Sequence, residues 1–128
     1  MEHEGFVSIW LGNFVALNDL MEYAADDTFD EDGNNIPSRF ASDFFDVEKQ
    51  AFDPDFFELG VCEPSDSLLE LVNEFSYGDS FVVEGIKLKK TYNAVILVYD
   101  FKYVSKSGIN APVDFIAAVP YKKDVMDF

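Results

Sequence analysis

Apolar and polar positions along the chain change period several times, and each change marks an element. Phe6–Leu11 (FVSIWL) is largely apolar on both alternating sets, Phe6, Ser8, Trp10 and Val7, Ile9, Leu11. That pattern predicts a strand buried on both faces and away from a sheet edge. Gly12 and Asn13 end it. From Phe14 to Ala25 the period becomes helical: Phe14, Leu17, Leu20, Met21 and Ala24 recur on one face, with Asp19, Glu22 and Asp26 turned elsewhere. Phe40 and Phe44 share a face at i,i+4 in a short helix expected over Pro37–Phe45, with Ser38 as its candidate cap. Phe56–Cys62 (FFELGVC) reads as a second strand, closed by Glu63-Pro64. Leu68, Leu69, Leu71 and Val72 then mark a helix capped by Ser65 or Ser67, and Ser67 followed by Glu70 matches a capping box.

The stretch Ser76–Lys90 fits neither period cleanly. Ser80–Val83 has strand propensity, whereas Tyr77, Phe81, Val82, Gly85, Ile86 and Lys89 form a tolerable helical face. A helix is favoured there, weakened at Gly85 by about 1 kcal/mol relative to Ala. Tyr92–Tyr103 (YNAVILVYDFKY) is the clearest strand, apolar on both faces and therefore central. Val113–Val119 is the fourth, expected to pair with it as a hairpin across a turn at Gly108. This order predicts a single α/β (α+β) domain over residues 1–128: a mixed four-stranded sheet flanked by short helices, with tails at 1–5 and 122–128.

Composition supports a folded chain. Hydrophobic residues make up 48% and aromatics 16%, which is too apolar for a disordered acidic tail. No apolar run approaches the roughly 18 residues of a membrane span. Met1-Glu2-His3-Glu4 lacks a basic leader region, so no signal peptide is expected. A lone cysteine, Cys62, rules out an internal disulfide and fits a reducing compartment, making the cytoplasm the expected location.

Charge adds an asymmetry that the pattern does not reveal. Twenty-five Asp and Glu stand against nine Lys and Arg, for a net charge of −16. Residues 1–80 hold twenty acids and two bases (−18), and residues 81–128 hold five acids and seven bases (+2). Such a field repels nucleic acid and anionic membranes and attracts a basic partner. Solubility is the ordinary use of acidity, but the excess is well beyond the net charge of about 2–8 that keeps a small domain soluble.

Candidate chemistry is sparse. His3 is the only histidine and gives no triad; Cys62 has no histidine to activate it and is expected to be a structural thiol. There is no CxxC, HExxH or glycine-rich phosphate loop, so no cofactor or metal site is expected. The acidic stretch Asp26–Asn35 tempts a calcium reading, but the register that puts Gly33 at the sixth position begins on Thr28 and ends on Arg39, where carboxylates are needed. A solvated turn at Asp32-Gly33-Asn34 is the simpler reading. Lys87, Lys89 and Lys90 read as a solvated helix end or as partners in salt bridges.

What remains is a set of segments in which acids alternate with rings: Phe29–Asp32, Phe44–Asp46 and Phe52–Glu58. Several matching stretches, VSIWLGNF (Val7–Phe14), LNDLMEY (Leu17–Tyr23), FASDFFD (Phe40–Asp46), FDPDFFE (Phe52–Glu58), SLLELV (Ser67–Val72 with its cap), SYGDSF (Ser76–Phe81) and NAVILVYDFKY (Asn93–Tyr103), resemble the immunity protein 22 family of bacterial polymorphic toxin loci. The resemblance covers about residues 6–103 and weakens beyond. VSIWLGNF followed by FDPDFFE carries most of its specificity. The family typically has Tyr at Phe52 and Gly near Phe45.

The resemblance implies a non-enzymatic inhibitor that neutralises a cognate toxin in the cell that makes it. Combined with the acidic field, it points to an interface drawing on Asp43, Asp46, Asp53, Asp55 and Glu58, with Trp10 as core or anchor. A basic nuclease is the preferred toxin, since a phosphate-binding cleft is positive. A regulatory adaptor for another basic protein, or a small carboxylate-based enzyme, are the alternatives.

Overall fold

The computed structural model describes residues 2–24, 28–29, 31–33, 35–36, 39–44, 57–73, 75, 80–103 and 111–121. Four strands, β1 (Glu2–Gly12), β4 (Phe57–Ser65), β5 (Tyr92–Phe101) and β6 (Val113–Pro120), form one sheet in the order β4-β5-β1-β6. Three short helices, α1 (Leu17–Ala24), α2 (Arg39–Phe44) and α3 (Leu68–Val72), cover it. A two-stranded ribbon, β2 (Thr28–Phe29) with β3 (Asn35–Ile36), stands apart from the main sheet. Its turn contains Gly33 in the left-handed region (φ +83°), in line with the turn expected there.

The single α/β domain and its four-stranded sheet match expectation, but two details of the sheet do not. The sheet is antiparallel at every pairing rather than mixed. Nor do β5 and β6 form a hairpin: β1 lies between them and pairs with both. A strand apolar on both faces must sit inside a covered sheet, and β1 does so by using both edges.

Alternation along β1 and β5 splits the core in two. Val7, Ile9, Leu11, Val95, Leu97 and Tyr99 face α3. Trp10, Ala94, Ile96 and Val98 face α1 and α2. Two irregularities then switch strands from one face to the other. In β6, Trp10 pairs with Phe115 and Ile9 with Ala117, leaving Ile116 as the extra residue of a bulge. Val113 and Phe115 consequently face α1–α2, while Ala117 and Val119, of the same parity, face α3. In β5, Asp100 takes a left-handed conformation (φ 55°), so Tyr99 faces α3 but Phe101 faces α1–α2. Aspartate tolerates this geometry better than most residues. Its Oδ1 accepts from the Gly5 amide (3.0 Å) and the Tyr121 hydroxyl (2.8 Å). Fully buried Ser8 secures the chain beyond, donating to the Phe101 carbonyl (2.7 Å) and accepting from the Tyr103 amide (2.9 Å).

One end of the sheet also departs from expectation. β1 begins at Glu2, within the segment expected to be an N-terminal tail. At the other end Tyr121, just before the expected tail at 122–128, is buried against Tyr99 and Phe81, and its amide donates to the Gly5 carbonyl.

The helices follow the sequence pattern with small shifts. α1 starts at Leu17; its buried face is Leu20, Tyr23 and Ala24, leaving Leu17 and Met21 exposed. The segment before it is held by Asn93, which bonds both the amide and the carbonyl of Phe14. In α2, Phe40 and Phe44 pack inward together, as expected; Ser38 lies outside the described residues. Ser67 caps α3 by accepting from the Glu70 amide. Here the capping box closes through Ser65, whose hydroxyl accepts from the Ser67 amide and donates to the Glu70 carboxylate.

The helix expected near residues 77–90 is absent over 81–90; within its described part only Ser80 is helical, in a 3-10 conformation. Val83–Ile86 is a β-turn, closed by the Ile86 amide on the Val83 carbonyl, with Gly85 at φ +84°. A type II turn requires a positive φ at that third position, which is why glycine stands there. On either side of the turn, Phe81 and Val83, then Ile86 and Leu88, pack on the α3-side core. The mixed period of this segment is that of a strap, extended on each side of one turn. Lys87, Lys89 and Lys90 therefore do not end a helix; Lys90 pairs with Asp114 (3.4 Å) at the surface.

Candidate partner-binding surface

Of the five acids that the sequence singles out, Asp43 and Glu58 fall within the described residues; Asp46, Asp53 and Asp55 lie outside them. Asp43 sits in α2, where its Oδ2 accepts from the Tyr23 hydroxyl at 2.7 Å. Burial, reinforced by that bond, pushes the Tyr23 phenol above its ordinary value. Glu58 sits on β4, where its Oε1 accepts from the Tyr99 hydroxyl, also at 2.7 Å. Tyr23 belongs to the α1–α2 core and Tyr99 to the α3 core, so the two carboxylates stand on opposite faces of the sheet. Each has one oxygen tied to the fold. A surface that includes both must run over the β4 edge.

Trp10 resolves as core. It is fully buried, with the rings of Phe40 (4.9 Å), Phe44 (5.6 Å), Tyr103 and Phe115 (both 5.2 Å) around it. Cys62 is half-buried against the α3-side core, its thiol donating to the Asn93 carbonyl.

Other acids are exposed and make no hydrogen bond or ion pair among the described residues: Asp19 and Glu22 on α1, and Glu63, Asp66 and Glu84 around α3. Apolar side chains accompany them. Val15, 97% exposed, precedes α1 with Leu17 and Met21 close in sequence. On the other side Leu69 (52%) and Val82 (56%) face solvent.

Beside Leu69 the surface is concave. A groove of about 380 Å³ runs between α3 and the strap, with Leu68, Leu69, Val83, Ile86 and Leu88 as its apolar lining. Asp66 and Glu84 stand along it, and Lys87 is its one cation among the lining residues described. Sequence reasoning missed this groove because a helix over 77–90 would have filled the same space differently. The signal was present in Glu84-Gly85, read as a weak point in a helix rather than as a turn. Among the described residues, no three His, Cys, Asp or Glu side chains gather as a metal site.

Both apolar faces of the sheet are buried under the helices and the strap, and several acids are exposed among the described residues. Comparison with protein families supplies the role. The family model for Immunity protein 22 matches residues 7–122. The chain belongs to that family. The match runs past Tyr103, beyond the motifs that carry the resemblance, and takes in β6 and Tyr121. No curated protein and no solved structure matches the chain. Membership in the Immunity protein 22 family supports a toxin-neutralising role and the binding of a cognate toxin. It suggests an inhibitor that works by binding rather than by catalysis. No helix among the described residues is long and apolar enough to cross a membrane.

Proposed function

We propose that this protein neutralises a cognate toxin of a bacterial polymorphic toxin system by covering a basic surface of it, in the cytoplasm and without chemistry of its own. Family membership carries the toxin as partner. The −18 charge of residues 1–80 supports a basic one, and a nuclease, whose substrate is a polyanion, is the class that fits best. The proposed contacts are Asp43, Asp46, Asp53, Asp55 and Glu58. Asp43 and Glu58 stand on opposite faces of the sheet, so an interface using both wraps the edge strand β4; Asp46, Asp53 and Asp55 lie outside the described residues.

Co-expression with the toxin encoded beside this gene tests the reading: growth is rescued and the two proteins co-purify. Loss of both outcomes refutes toxin neutralisation. Charge steering adds a kinetic signature, an association rate that falls steeply as salt rises. A rate indifferent to salt would refute the basic-partner part while leaving neutralisation intact.

A further inference from the structure

We infer that the groove between α3 and the Val83–Ile86 turn is the socket for one long basic side chain, arginine or lysine, of the bound toxin. The inference rests on the proposed toxin-neutralising role and adds a site to it. The shape and the chemistry of the groove both point to such an occupant. Its lining is aliphatic, from Leu68 and Leu69 on α3 and Val83, Ile86 and Leu88 on the strap. Asp66, at the start of α3, and Glu84, in the turn, bring two carboxylates to the same recess. Neither makes a hydrogen bond or ion pair among the described residues, in contrast to Asp43 and Glu58, which are bonded by tyrosines. An arginine or lysine matches both features, because its stem packs on apolar surface while its head meets carboxylates.

The groove also has the makings of an anchor point. Affinity at protein interfaces is concentrated where a large side chain fills a desolvated pocket, and arginine is among the residues most often found there. Leu69, half-exposed at the groove, would be covered by the rest of the partner surface. Glu58, through Tyr99, belongs to this same face of the sheet. Lys87 opposes a cation in the groove, which gives the proposal an unusual handle.

The test measures affinity for the co-purified toxin at about 0.3 M salt, where distant charges are screened. Glu84→Lys is expected to weaken binding by about tenfold or more. Lys87→Ala is expected to strengthen it by about two- to fivefold, a gain that structural damage cannot imitate. Asp19→Lys makes the same charge change on α1, across the sheet, and is expected to alter affinity by less than about twofold. Equal losses in Glu84→Lys and Asp19→Lys, or weaker binding by Lys87→Ala, would overturn the socket while toxin binding by the unaltered protein stands. Failure of the unaltered protein to bind the toxin would overturn both.

A second measurement needs no toxin. N-acetyl-arginine amide, titrated into the labelled protein, is expected to shift the amides of Leu68, Leu69 and Val83–Leu88, whereas N-acetyl-norleucine amide shifts them far less. Equal shifts with both probes would remove the cation from the proposal. Concentration-dependent shifts at these amides without any probe would assign the groove to a second copy of this chain, which also overturns it.

Discussion

The two faces of the sheet are covered by different means. On the α1–α2 side the core is built around one ring: Trp10 lies among Phe40, Phe44, Tyr103 and Phe115, and two helices close over it. On the α3 side the core is mostly aliphatic, and a five-residue helix shares the cover with an irregular strap. Rings fill space in large units and leave few gaps between themselves. A short helix beside a turn cannot close against each other along their whole length, and a groove remains. The same sheet thus carries one face built on packed rings and another indented beside α3. Each face has a carboxylate held by a tyrosine, Asp43 on the first and Glu58 on the second, and each has exposed acids without such a bond among the described residues, Asp19 and Glu22 on α1, Asp66 and Glu84 at the groove.

The largest test of this contrast is Trp10→Ala. Removing a fully buried ring with four ring neighbours among the described residues is expected to cost about 3–5 kcal/mol, read from denaturant unfolding. If the α1–α2 face were as loosely packed as the other, the loss would fall well below that range.

A smaller effect concerns Asp100, where β5 changes faces. Asp100→Ala puts a less tolerant residue at positive φ and removes the acceptor of the Gly5 amide and the Tyr121 hydroxyl. A loss of about 2 kcal/mol is expected. Asp100→Asn keeps an acceptor oxygen and the tolerance for this backbone, so it should lose less than half as much. Equal losses would mean that the charge, not the switch of faces, is what the position needs.

The smallest effect is electrostatic. Tyr23 and Tyr103 on the α1–α2 side, and Tyr92 on the α3 side, all have phenols raised above their ordinary value, chiefly by burial. At Tyr23 and Tyr92 hydrogen bonds to Asp43 and Asp114 add to it. Below about pH 10 these groups are protonated in both the folded and the unfolded chain and contribute no pH dependence. Above it the unfolded chain releases protons that the folded chain retains, so stability falls as pH rises. Tyr23→Phe should cost about 1 kcal/mol at neutral pH through the lost bond to Asp43. It should also make the alkaline fall shallower, as followed by thermal unfolding across pH 8–11. An unchanged slope would place the alkaline sensitivity elsewhere.

Much of the fold was legible because it depends on local periods. FVSIWL and NAVILVYDF show two apolar faces, and only an inner strand of a sheet covered on both sides satisfies both. Phe40 and Phe44 needed only the helical repeat to be placed together. The strand order was not legible. Nothing in Val113–Val119 says which neighbour it takes, and the choice of β1 over β5 follows from the need of β1 for partners on both edges. The face switches at Asp100 and Ile116 were equally hidden, since a bulge changes parity without changing composition. The candidate surface was legible as a sign of charge but not as a location. Asp43 and Glu58, fifteen positions apart, look like one acidic segment in sequence and lie on opposite faces in space.

The sequence by itself determined the sign of the field, the two apolar faces of the inner strands and, through its motifs, the family. These are properties of residue type and short spacing, and they survive any arrangement of the elements. Only the tertiary structure decided which carboxylates are tied down by tyrosines and which stand beside an apolar groove. That decision depends on contacts between residues far apart in the chain, Tyr99 with Glu58 and α3 with the strap, which form when the sheet brings their elements together.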